Sequence, residues 1–484
     1  MTAASTATVG PVRALLLSAY ELGHQPLHVA APAGALVAAG HDVRCVDLAL
    51  DSLPDDALDW ADAVALSVPM HTALRLARAT TARIRATHPG LAVCFYGLYA
   101  GVDDGAPDDA GRADRAIVGE YEPALVAWFG AQAQKETRRV SVHLGRQRFG
   151  LPARQLLPPL DRYARLVTGD DTVLAGAVEA SHGCAHRCRH CPVPVVYDGR
   201  TRVVGVEDVL ADVAQLVSMG ARHVTFADPD FLNGPHHARR VTAAVHGAFP
   251  ALTFDVTVKV EHILAWRHLW SEFAAAGCLF VVSAFESASE AVLRHLDKGH
   301  TVADEIEAVR VVRAAGIEPR PSLLPFTPWT TAPDVLALLD LVARGDLIGN
   351  VDPVQYSIRL LVPPESLLLR GDALQGLLGP YDSALLGWTW RSADPRLDVL
   401  QARISKLAED SAEEPWDPDA FYGRVRHAAV DVLGVGDRHA PAAEPELRSP
   451  LAPAMRPRLS EAWFCCAEPT AMQFAGTAAG TGGR

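Results

Sequence analysis

The chain has 484 residues, 49% of them apolar, which is too long for one ordinary core and ample for two or three packed domains. Lys+Arg 44 against Asp+Glu 57 leaves a net charge of −13, with no basic run, so a nucleic-acid backbone is excluded as a partner and a small-molecule substrate is favoured. No stretch approaches the roughly 18 apolar residues that cross a bilayer, and eight cysteines, three in a metal-ligand spacing and two adjacent, do not make a disulfide framework. A reduced, cytoplasmic protein with no membrane partner is expected.

From residue 12 to about 130, short apolar runs at 12–18, 42–48, 63–67, 91–96 and 116–118 read as strands, and 27–39 and 72–87 carry helical periodicity. Strand and helix in alternation predict a parallel, doubly wound sheet, a Rossmann-like domain over residues 1–144. Residues 145–171, with Pro152, Pro158 and Pro159, read as a linker. A second α/β series then runs over 172–379, with strands expected at 173–180, 223–227, 253–260, 279–284, 317–324 and 354–361. Between them, 206–217 places Val206, Val209, Leu210, Val213, Leu216 and Val217 on one helical face. Six such units predict a partial (β/α)6 barrel. Past about Pro380 the strands are expected to stop, leaving a mostly helical C-terminal region over 380–484, with helices at 395–407 and 420–433 and a flexible, glycine-rich tail.

Directly after the first barrel strand comes Ser181-His-Gly-Cys-Ala-His-Arg-Cys-Arg-His-Cys-Pro192. Cys184, Cys188 and Cys191, spaced CxxxCxxC, suit three irons of a 4Fe-4S cluster and leave the fourth iron open to a chelating molecule. A zinc site is the alternative. It wants a fourth ligand, for which His182, His186 or His190 would have to be recruited.

On these residues, and on the order of segments from about Gly145 to Leu369, the chain resembles the radical S-adenosylmethionine enzymes. The resemblance implies that Cys184, Cys188 and Cys191 bind the cluster and that its open iron chelates the amine and carboxylate of S-adenosyl-L-methionine, with an electron donor such as flavodoxin or ferredoxin. It places Asp228 or Asp230, after the second strand, at the methionine amine. Lys259 stands on the third strand, and Glu286 and Ser287, after the fourth, are set at the ribose, with helix capping by Ser287 as the competing role. Lys298 and Arg359 read as solvated cations at the barrel edge. The first domain is similar to the cobalamin-binding domain of one branch of the family. That branch's Asp-x-His-x-x-Gly loop is missing, so cobalamin is a minority reading resting on fold analogy.

Near the end, Cys465 and Cys466 stand together in Trp463-Phe-Cys-Cys-Ala-Glu-Pro469. Adjacent thiolates are soft ligands suited to trivalent arsenic, selenium or persulfide chemistry, and two incidental buried thiols are the alternative. The string resembles the tail of the CUAEP/CCAEP-tail group of radical S-adenosylmethionine proteins, within which the resemblance extends to carbon–arsenic bond formation. It implies that arsenite bound by Cys465 and Cys466 accepts a 3-amino-3-carboxypropyl radical. A 5'-deoxyadenosyl radical acting on a small molecule or peptide, by hydrogen abstraction or methylation with the two cysteines as thiol donors, is the enzyme alternative. A cluster-bearing sensor is the alternative outside enzymes.

Overall fold

A computed structural model describes residues 11–102, 110–131, 139–436 and 439–461. The described residues fall into two compact units, one reaching Arg162 and the other starting at Tyr163.

The first unit is built on six parallel strands in the order β2-β1-β3-β4-β5-β6: β1 (Arg13–Ser18), β2 (Asp42–Asp47), β3 (Ala63–Ser67), β4 (Ala92–Tyr96), β5 (Arg115–Gly119) and β6 (Arg139–His143). β3 and β4 are buried along their whole length, which is why they read as unbroken apolar runs rather than as alternating ones. The expected helices form as Leu27–Ala38 and His71–Thr87. Pro32 sits inside the first and offers no N–H to the His28 carbonyl one turn earlier. The Tyr96 hydroxyl, 2.9 Å away at the end of β4, donates to that carbonyl instead. Strand order reverses between β1 and β3, and a crevice is expected at their carboxyl ends.

In the second unit seven strands lie in the order β14-β13-β12-β11-β8-β7-β17. β8 (Asp171–Val178), β11 (His223–Phe226), β12 (Thr253–Thr257), β13 (Cys278–Glu286) and β14 (Glu318–Leu323) are parallel and form the partial barrel. Helices return between them, and two, Val302–Ala314 and Ala332–Arg344, begin at capping boxes set by Thr301 with Asp304 and Thr331 with Asp334. On the other edge, β7 (Arg165–Thr168) pairs antiparallel with β8, and β17 (Arg458–Leu459) antiparallel with β7.

Two expectations need correction, and one further element lies outside them. The sixth barrel strand, expected at 354–361, is instead a 3₁₀ turn, Pro353–Ser357, followed by one bridge between Phe326 and Arg359. Leu324 donates toward β13, to the Glu286 carbonyl, so the alternate residues Pro319, Pro321 and Leu323 face the open side. Two of these three are prolines with no N–H to give, and the Leu323 N–H goes to the Gln355 side chain at 3.0 Å. Strands also continue past Pro380, as a hairpin of β15 (Leu378–Asp382) and β16 (Gly387–Trp390) and as β17. Lastly, a short antiparallel pair, β9 (Ser181–Gly183) with β10 (Thr201–Val203), stands above the first barrel strand. The C-terminal helices form as Pro395–Glu413 and Pro418–Leu433.

Candidate active site

β9 and β10 close the neck of a loop that holds all three cysteines, with Gly183 paired to Thr201. Gly183 has φ +77°, and a Cβ there would meet the Arg200 carbonyl oxygen at 2.3 Å, so the neck admits no side chain at the residue before Cys184. Cys188 is buried, Cys184 and Cys191 are half-buried, and none is in a disulfide. Burial pushes the Cys184 and Cys191 thiols up, and for Cys191 the neighbouring Cys188 adds to it. Such thiols give up their protons to a metal rather than to water.

Among the described residues, ligand atoms converge within 4.8 Å in the group His186, Asp230 and His262, and the three cysteine sulfurs form no such group. Tetrahedral Zn–S bonds would bring sulfurs to about 3.8 Å from one another, whereas a cluster spreads its ligands wider. Two of the histidines a zinc site would recruit are taken by carboxylates, His182 by Glu179 at 3.2 Å and His190 by Glu286 at 3.1 Å. The donor set fits a 4Fe-4S cluster.

The turn after β11 braces this loop. Asn233 accepts from the Ala185 N–H at 3.0 Å and donates to the Asp230 carbonyl at 2.9 Å, a role that its turn-like context, Asp-Pro-Asp-Phe-Leu-Asn-Gly, does not announce. Asp228 accepts from the Ala180 N–H at 2.9 Å and the Ser181 hydroxyl at 2.5 Å, so both its oxygens are engaged in holding the chain that enters the loop. Asp230 accepts from the Leu232 N–H through Oδ1, and its Oδ2 lies 2.8 Å from His262 Nδ1. Past β12, Lys259 Nζ reaches His186 Nδ1 at 3.1 Å and Glu261 at 3.2 Å. Asp230 and Lys259 thus meet the cluster loop at His186.

Burial pushes the Asp228 carboxyl up to about 7, against the lowering effect of its two donors. The folded chain therefore holds this proton more tightly than the unfolded one, and its contribution to stability, full below about pH 4, is lost as pH rises through about 7. Asp228→Asn keeps an acceptor for Ala180 and removes the titration. Urea midpoints at pH values across that window are expected to show a flatter decline in the variant than in the parent.

At the end of β13, Glu286 adopts φ +70° at a register shift against β14, a left-handed conformation that a non-glycine residue holds only under constraint. Its Oε1 accepts from Lys298 Nζ at 3.0 Å and faces His190 Nε2 at 3.1 Å. Burial alone would raise this carboxyl, but Lys298 and His190 outweigh it and hold Glu286 well below the ordinary carboxylate range. Ser287 accepts from the Ser289 N–H at 3.2 Å, and Ser289, not Ser287, is the N-cap of the following helix. Lys298 is not a solvated cation: it is 2% exposed. Burial lowers its ammonium, yet Glu286 and then Cys188 raise it past its ordinary value. Behind this pair, burial pushes His300 down to about 4 and Glu305 well up, and the two face one another at 3.1 Å. Arg359 lies 3.6 Å over the Trp390 ring and pairs with Asp398, which makes it a packing residue. Cys465 and Cys466 lie outside the described residues.

A parallel partial barrel with a three-cysteine loop at the carboxyl end of its first strand defines a class. Residues 178–342 match the family model of the Radical SAM superfamily. They form a radical SAM domain, and such a domain implies a 4Fe-4S cluster and S-adenosylmethionine. The chain spans about half the length of the curated relatives it matches. It is 24% identical to an uncharacterized methyltransferase of Pyrococcus horikoshii over 53% of each chain. It is 25% identical to a tRNA-2-methylthio-N(6)-dimethylallyladenosine synthase of Fusobacterium nucleatum over 38% of this chain and 44% of that one.

The fold likeness reaches into the N-terminal unit. The structure of the cobalamin-dependent S-adenosylmethionine radical enzyme OxsB with aqua-cobalamin and S-adenosylmethionine bound covers 88% of this chain and 72% of its own, with TM-score 0.65 at 14% identity. The radical S-adenosylmethionine methyltransferase TsrM from Kitasatospora setae, with tryptophan substrate and an S-adenosylmethionine analog bound, covers 88% and 96%, with TM-score 0.56 at 17% identity. The N-terminal parallel sheet and the barrel together therefore have the fold of cobalamin-dependent radical SAM enzymes.

Proposed function

We propose that the protein cleaves S-adenosylmethionine reductively and transfers its 3-amino-3-carboxypropyl group to trivalent arsenic held by Cys465 and Cys466, a carbon–arsenic bond formation of the kind found in arsinothricin biosynthesis. A cluster held by Cys184, Cys188 and Cys191 would supply the one electron that splits the sulfonium into methylthioadenosine and a 3-amino-3-carboxypropyl radical, and would take one electron back as the radical's bond to trivalent arsenic leaves that centre pentavalent. Lys259 presents a cation to the methionine carboxylate. The amine is left to backbone carbonyls of the turn around Asp228 and Asp230, because both Asp228 oxygens are engaged and Asp230 faces His262. Glu286 and Ser287 offer acceptors to the ribose hydroxyls.

The direction of β17 is the observation that carries the tail's part. Arg458 pairs with Val167, which pairs with Thr172, and the Ser460 N–H donates to Arg165, which pairs with Leu174. β17 therefore runs the same way as β8, toward the end where the cysteine loop stands. Ser460, at its end, precedes Cys465 by only five positions in the sequence.

An anaerobic assay with reduced protein tests the reading. Methylthioadenosine is expected to rise with added arsenite and to lose that dependence in Cys465→Ser. 5'-Deoxyadenosine as the sole product, indifferent to arsenite, would overturn it.

The fold of the N-terminal unit favours a second reading, cobalamin-dependent methylation. Its ligand would lie at the carboxyl ends of β1 and β3, where the Ser18 hydroxyl is buried with no hydrogen-bond partner. S-Adenosylhomocysteine formed only with hydroxocobalamin marks that case.

A further inference from the structure

We propose that His186, Asp230 and His262 form a second metal site, distinct from the three cysteine ligands, that takes one divalent first-row transition ion. The three residues arrive from three elements: the cysteine loop, the turn after β11 and the helix Val260–Ala265 after β12. Their ligand atoms lie within 4.8 Å of one another. His186 Nε2 and His262 Nε2 are 3.1 Å apart, with ring centroids at 4.5 Å. Metal–nitrogen bonds of about 2.1 Å at roughly a right angle give about this separation. Asp230 Oδ2 stands 3.7 Å from His186 Nε2.

Asp230 supplies the independent sign of a ligand. It is 1% exposed, and although His262 Nδ1 stands 2.8 Å from Oδ2 neither atom makes a hydrogen bond of acceptable geometry, a state that is expensive for a buried carboxylate oxygen unless a cation meets it. Its other oxygen is anchored by the Leu232 N–H at 3.1 Å, which fixes Oδ2 toward the histidines. A second shell is also present. Glu261 lies 3.7 Å from His186 Nδ1, placed to accept its proton once Nε2 ligates, and Lys259 then keeps Glu261 as its partner at 3.2 Å.

Two imidazoles and one carboxylate without sulfur select iron, cobalt, nickel or zinc in the divalent state over magnesium, calcium or monovalent copper. Three protein ligands leave positions open for an oxygen donor, so the ion would anchor a carboxylate or oxyanion of the substrate beside the cluster loop.

Metal content of the full-length, cluster-loaded protein, dialysed against zinc and counted with its iron, tests this. One zinc per chain is expected beside about four irons. His262→Gln and Asp230→Asn should each weaken zinc binding by more than about tenfold while iron stays unchanged. His262 is half-buried, so its variant carries the test if the buried aspartate variant fails to fold. Cobalt titrated into the Cys184→Ala/Cys188→Ala/Cys191→Ala chain should give one set of d–d bands, lost with His262→Gln. No zinc above background, zinc unchanged in His262→Gln, or zinc and iron lost together in both variants would overturn the site. Iron is counted separately, so failure here leaves the cluster assignment standing or falling on its own.

Discussion

Cys188→Ala is expected to yield a chain that folds but binds no stable cluster and cleaves no S-adenosylmethionine in either direction. Cys188 is the buried member of the triad, and its N-terminal and C-terminal partners hang on one loop whose neck β9 and β10 close. With two thiolates left, a four-iron cluster loses a second corner besides the open one. Iron should fall far below about four per chain, and anaerobic chromatography should find neither methylthioadenosine nor 5'-deoxyadenosine. Turnover that survives the substitution would put the radical chemistry somewhere else.

Lys298→Met is expected to produce the largest loss of stability, about 3–5 kcal/mol, because it leaves the Glu286 carboxylate buried with its principal partner gone. His190 remains at 3.1 Å and compensates only in part. The double variant Lys298→Met/Glu286→Gln removes both charges and should recover most of the loss, which a mere packing defect at Lys298 would not. Hydrogen exchange of the β13 and β14 amides reads the effect within this unit, independent of the N-terminal sheet. Equal destabilisation in the single and double variants would show that the pair contributes through shape rather than charge.

What the sequence disclosed depended on how local each feature is. The cysteine loop is legible because its ligands lie within eight positions, and β1, β3, β4 and β5 because buried parallel strands are continuous apolar runs, whereas β2 is an edge strand of mixed exposure. β6, Arg-Val-Ser-Val-His, is an edge strand with alternating character and carried too little of that signal. β17 pairs with β7 almost three hundred positions earlier, which no local pattern announces. The sixth strand failed for a reason visible only in parity: Pro319 and Pro321 both fall on the side that would have donated to it.

The site's second layer was hidden in the same way. Lys298 looked solvated because its partner sits at the end of a strand, turned inward by a positive φ. His186 was legible only as a spare zinc ligand, because its neighbour His262 comes from another barrel unit 76 positions on. The two aspartates after β11, equivalent in sequence, separate once seen: Asp228 is tied to Ser181, whereas Asp230 faces the histidines.

Electron paramagnetic resonance of the dithionite-reduced protein, with and without S-adenosylmethionine, tests the central claim most directly, namely a three-cysteine cluster whose open iron takes the substrate. One reduced four-iron signal is expected, changed by S-adenosylmethionine and coupled to its nitrogen and carboxylate oxygen when these are isotopically labelled. A cluster signal that S-adenosylmethionine leaves unaltered and uncoupled would contradict the account.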